Sequence, residues 1–119
     1  MRKAVLALWM SLISGPALAA GHGFACDLRA LTSDERAQHA ELGQQLLAAI
    51  QERRELPNGY AFRLAASEWL VAARWAALER KCCPFFAFEL DAAPDGGPLW
   101  LRLTGRAGVK AFMREELGF

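Results

Sequence analysis

The chain has 119 residues, of which 54% are hydrophobic, and carries 14 Lys and Arg against 13 Asp and Glu. Two of the basic residues and none of the acidic ones lie in the first 19 positions, so the other 100 residues hold 12 basic and 13 acidic side chains. That balance leaves no cationic excess to neutralise phosphates, so nucleic acid is excluded as an expected partner.

Arg2 and Lys3 precede an apolar run of 11 residues, Ala4 to Ser14. Gly15-Pro16 breaks any helix there, and Ala17-Leu18-Ala19 offers the small residues that a signal peptidase accepts. This is the pattern of a secretory signal, and a bilayer span needs roughly 20 apolar residues. Residues 1–19 are expected to form a signal-peptide helix that is removed. The mature protein would then be periplasmic or secreted, with no stable membrane anchor. Residues 20–31 read as an N-terminal arm and 32–119 as a single domain, large enough for its own core.

Thr32 followed by Glu35 predicts a capping box. A helix is expected from there to about Arg54, with Leu42, Leu46, Ala49 and Ile50 on its apolar stripe and His39 on the same face. Pro57-Asn58-Gly59 stops it. Tyr60, Phe62 and Leu64 alternate as a short strand. Ser67 can cap a second helix to about Lys81; Trp69, Leu70, Val71, Trp75 and Leu78 cover so much of its circumference that burial on more than one side is expected. Pro84 ends it. Phe85 to Leu90 predicts a strand, Asp91 to Pro98 a hairpin turn, and Leu99 to Thr104 the partner strand. Gly105 and Gly108 flank a turn into a last helix with Val109, Phe112, Met113 and Leu117 on one face. The expected fold is α+β, in the order helix-strand-helix-strand-strand-helix. Because a strand-helix-strand unit prefers parallel strands, a three-stranded mixed sheet with helices on one face is expected.

The chemistry rests on three cysteines, Cys26 and the adjacent Cys82-Cys83. In an exported protein thiols are normally paired, and three cannot all pair within one molecule. One reading is a soft-metal site for mercury, copper(I) or zinc. Cys26, Cys82 and Cys83 would supply the thiolates and His39 a nitrogen; His22 is an alternative nitrogen in the arm. A second is a structural disulfide from Cys26 to Cys82 or Cys83, worth on the order of 4 kcal/mol for a loop of that length. The remaining thiol would then be buried or would link a homodimer. A vicinal Cys82–Cys83 bond is a strained third pairing. A thiol oxidoreductase is the remaining class. Against it stand the absence of CxxC and the placement of Cys82 and Cys83 at a helix C-terminus, where the dipole opposes thiolate; Arg80 and Lys81 offset this in part.

Other groups suggest less. Trp69, Trp75, Phe85, Phe86, Phe88 and Trp100 could line a pocket, but their spacings are those of a core. Gly105-Arg106-Ala107-Gly108 could hold an anion on backbone N–H groups but reads as a plain turn. Glu79 and Glu89 have no visible partner, and no nucleophile–base set or acid pair appears, so catalysis is not expected.

The segments ACDLRAL, LPNGYAFRL, LERKCCPFFAFEL, PLWLRLTG and GVKAF resemble the motifs of a group of short bacterial proteins with no established activity. The resemblance covers nearly the whole chain after the leader. It implies one compact domain in which Cys26, Cys82 and Cys83 fall within shared motifs, and it implies no reaction. The group's members look like cytoplasmic proteins, so the leader is a departure. A looser likeness is to the cysteine-containing tails of heavy-metal-responsive regulators.

Overall fold

A computed structural model describes residues 23–119; the expected signal peptide and His22 lie outside the described residues. Helix α1 (Ser33–Ala49) is followed by β1 (Glu52–Leu56), β2 (Gly59–Leu64), α2 (Trp69–Cys82), β3 (Ala87–Ala92), β4 (Leu99–Thr104) and α3 (Val109–Leu117). The class is α+β, as expected. Among the described residues, no helix is long and apolar enough to cross a membrane.

The sheet differs from expectation. It has four strands in the order β1-β2-β4-β3, antiparallel at every pairing. The added strand is Glu-Arg-Arg-Glu-Leu, which the sequence assigned in part to the end of the first helix. Its side chains show no apolar alternation because it is an edge strand, partly or fully exposed along its length. Charged residues on such an edge discourage pairing with other chains. Pro57-Asn58 therefore joins a β-hairpin, with Leu56 opposite Gly59, rather than only ending a helix.

The expected parallel neighbours are also absent. β2 and β3, joined through α2, do run the same way, but β4 lies between them and opposes both. Its inward residues Leu99, Leu101 and Leu103 are at most 3% exposed, and such apolar strands, β4 and β2, take the two interior positions of the sheet. The inner face of the sheet adds Tyr60, Phe62 and Leu64, covered by Leu46 of α1, Ala72 of α2 and Met113 of α3. The outer face carries Arg63 and Arg102, and the Arg54 guanidinium lies 4.4 Å from the centre of the Trp100 ring.

The N-terminus of α1 is set locally. Thr32 accepts from the Glu35 N–H, and the Glu35 carboxylate accepts from the Thr32 N–H, forming the expected capping box. Helix α2 departs from expectation in two ways. A 3-10 turn, Ala66–Glu68, leads into it with no side-chain cap from Ser67. It is buried on one side only: Ala72, Ala76, Leu78, Glu79 and Cys82 face inward, while Trp69 and Leu70 are 43% and 59% exposed. The sheet, α1 and residues 28–31 of the arm pack against α2, and the side carrying Leu70, Arg74 and Ala77 stays exposed. Strand β3 begins at Ala87 rather than Phe85; Phe85 and Phe86 instead pack as a cluster with Phe112. Leu99–Thr104 and the apolar face of α3 agree with the pattern read from sequence.

Candidate functional site

The site forms where the last turn of α2 meets α1 and the N-terminal arm. Glu79, Cys82 and Cys83 lie three and four residues apart, so the first turn of spacing puts the carboxyl and both sulfurs on one side of the helix end. The Cys83 N–H donates to the Glu79 carbonyl at 2.7 Å and closes that turn. Cys83 is already outside helical geometry, with φ −126° and ψ 70°. This change of direction separates the environments of the two adjacent cysteines.

The arm is docked by its backbone. The Asp27 N–H donates to the Cys82 carbonyl at 2.8 Å, satisfying one of the orphan acceptors at the helix end. The Asp27 carboxylate accepts from the Arg29 N–H and caps the 3-10 turn Leu28–Ala30. Arg36 of α1 donates to the Leu31 carbonyl at 2.9 Å, and Leu31 is buried against Leu78, Cys82 and Cys83. These contacts place Cys26 beside Cys83. The two form a disulfide with Cα atoms 4.7 Å apart across 57 residues of sequence. Of the pairings open to the sequence, the structure takes Cys26–Cys83, and Cys82 keeps a buried thiol.

Helix α1 brings His39 to the same place. Lys81 and Glu35, 2.5 Å apart, clamp the outside of the α1–α2 contact. The Lys81 hydrogen bond holds the Glu35 carboxyl below its ordinary range, with the Thr32 backbone helping. Inside, His39 Nε2 is hydrogen-bonded to the Glu79 carboxyl. The imidazole lies nearly parallel to the Trp75 ring, at 15° with centres 6.4 Å apart. Glu79, which the sequence left without a partner, is thus a member of the site. Its pairing spans 40 residues; the one local signal was its position a turn before Cys82 and Cys83.

Two sets of donors overlap at Glu79. Cys26, Glu79 and Cys83 have ligand atoms within 4.8 Å of one another, and so do His39, Glu79 and Cys82. The Cys82 sulfur is 3.9 Å from that of Cys83 and 4.0 Å from His39 Nε2. The Cys26 sulfur is 3.9 Å from a Glu79 oxygen. The structure therefore brings together Cys26, Cys82, Cys83 and His39, all singled out in the sequence.

Electrostatically the site is arranged against thiolate. Burial, and then the charge of Glu79, pushes the Cys82 thiol up to about 11. Burial also raises the Glu79 carboxyl, with the His39 hydrogen bond opposing the shift. The thiol leans on the Glu79 carbonyl at 3.5 Å and the Leu78 carbonyl at 3.8 Å, which favour S–H over S⁻. Lys81 is turned outward to Glu35 and brings no compensation.

Beside the cluster lies a cavity of about 490 Å³ bordered by Cys26, His39, Glu79 and the apolar side chains of Trp75, Phe86 and Met113. Trp75 and Phe86 thus belong to a pocket wall as well as to the core, whereas Trp100 lies on the outer face of the sheet. Gly105–Gly108 forms a turn in which the Gly105 N–H donates to the Asn58 carbonyl. The Arg106 guanidinium lies 4.3 Å from the centre of the Phe24 ring.

Comparison with known proteins finds no matching family model, no similar curated protein and no similar solved structure.

Proposed function

We propose that this is a small exported protein that binds a soft metal ion when reduced, and that the Cys26–Cys83 disulfide closes the site in its resting state. The observation that supports this is the convergence of all three sulfurs: two are bonded and the third lies 3.9 Å from Cys83. Glu79 and His39 stand beside them as further donors. Reduction would release two thiols next to a third. Such sulfur-rich sets select mercury(II), copper(I) or zinc over harder ions. The leader supports export to the periplasm or beyond, where the disulfide form would prevail until a thiol reduces it.

A second reading is a disulfide-stabilised structural or interaction domain that holds no metal. The formed Cys26–Cys83 bond favours it, and so does the raised Cys82 thiol. The same thiol and the helix C-terminus count against a thiol oxidoreductase.

The test uses full-chain protein recovered from the periplasm, with its N-terminus expected at Ala20. After reduction it is titrated anaerobically with copper(I) or mercury(II) in excess glutathione. One ion per chain should survive that competition. Cys26→Ser, Cys82→Ser and Cys83→Ser should each weaken binding, and affinity should fall with pH because ligation releases thiol protons. Immediate loss of the ion to glutathione would leave the structural reading.

A further inference from the structure

We infer that the ligand of this site is a soft ion already carrying one apolar organic group, with a monoaryl trivalent arsenical as the representative chemistry. The inference rests on the soft-metal reading above and deepens it.

A bare ion held by sulfurs needs almost no space, yet the cluster opens onto a cavity of about 490 Å³. The cavity wall is chemically divided. Cys26, His39 and Glu79 form one side, and Trp75, Phe86 and Met113 contribute aromatic and thioether surface on the other. Such a wall is unsuited to a hydrated ion and suited to a ring. Cys26 borders the cavity, whereas Cys82 and Cys83 do not and are 1% and 0% exposed; Cys83 is the one bonded to Cys26. Once separated, Cys26 would present its sulfur at the cavity wall with the Cys83 sulfur next to it on the buried side, and a phenyl group on an atom bridging the two would point into the apolar space.

The chemistry balances without a further oxidant. Two glutathione thiols reduce the Cys26–Cys83 bond, giving two protein thiols and glutathione disulfide. An arsonous acid, R–As(OH)2, then condenses with those thiols. Two As–S bonds form and two As–O bonds break, and the thiol protons leave in two waters. Arsenic stays trivalent and keeps its carbon bond. Inorganic arsenite, with three hydroxyls to exchange, would recruit Cys82 as a third sulfur, so the two ligands make different demands on the same cluster.

The experiment compares phenylarsine oxide with arsenite on reduced full-chain protein, each in competition with excess glutathione. Burying the ring should make phenylarsine oxide bind about tenfold tighter or more. Cys82→Ser should weaken arsenite and spare phenylarsine oxide. Ala25 borders the cavity and is exposed, so Ala25→Trp fills the space from the rim without disturbing the core. It should abolish the phenyl advantage and leave arsenite unchanged; Leu117→Trp provides an independent filling variant, with circular dichroism confirming the fold of each. Retention of arsenite with no preference for the phenyl compound would overturn the organic-group inference and leave the soft-metal reading standing. Equal weakening of both ligands by the filling variants would do the same. Loss of both ligands to glutathione in the parent protein would sink the metal reading and this inference together.

Discussion

At the scale of the residue, Cys82 and Cys83 show how adjacent identical side chains acquire different chemistry. Cys83 sits at the helix cap and bonds the arm, while Cys82 stays on the helix and faces His39 and Glu79. The Cys82 thiol is raised from 9.0 to about 11, first by burial and then by Glu79. The sign of the resulting pH dependence follows from linkage. Below pH 9 both folded and unfolded chains hold this proton, and the contribution is fully present. Between pH 9 and about 11 the unfolded chain loses it first, so stability falls as pH rises. Urea midpoints measured from pH 8 to 10.5 should therefore fall in the parent protein, and Cys82→Ser should flatten this part of the profile. A profile unchanged by the substitution would show that the thiol is not held protonated by its surroundings. Serine at this position can still donate to the Glu79 carbonyl, which the sulfur now contacts.

At the scale of the element, the sheet depends on close approach between the first hairpin and the central strand. Gly59 faces Thr104 in the ladder, and a β-carbon there would lie 1.9 Å from the Leu103 carbonyl oxygen. That contact is with backbone, which cannot rotate away. Gly59→Ala should cost roughly 1–3 kcal/mol or more by forcing β2 and β4 apart, read as a lower urea midpoint. No change would mean the two strands can separate without loss. The elements that sequence revealed correctly are those set by near neighbours. Thr32 and Glu35 cap each other, and Leu99, Leu101 and Leu103 alternate on a half-covered sheet. β1 escaped notice because Glu52, Arg53, Arg54 and Glu55 continue the polar side of a helical pattern, and only pairing with β2 makes them a strand. The wide apolar girth of α2 suggested deep burial, yet Trp69 and Leu70 remain exposed, since periodicity counts apolar residues without knowing how many neighbours will arrive.

At the scale of the whole molecule, one covalent bond and a few backbone contacts tie the arm to the domain. If the 57-residue closure stabilises the fold by on the order of 4 kcal/mol, then Cys26→Ser and Cys83→Ser should lower the melting temperature by similar amounts. Cys82→Ser should lower it far less. A reductant should reproduce the loss in the parent protein and have little effect on Cys26→Ser. Equal sensitivity at all three positions would instead point to interchangeable pairings. The sequence by itself determined the α+β class, the N-terminal cap of α1 and the inward faces of β4 and α3, and it singled out Cys26, Cys82, Cys83 and His39 as candidates, because caps, periodicity and residue chemistry act over a few neighbouring positions. Only the tertiary structure decided which cysteine Cys26 joins, that Glu79 meets His39, that β4 lies between β2 and β3, and that a cavity opens beside the sulfurs. Those outcomes depend on where chain segments tens of residues apart come to rest, and that is settled by the joint burial of their apolar faces, which no local pattern encodes.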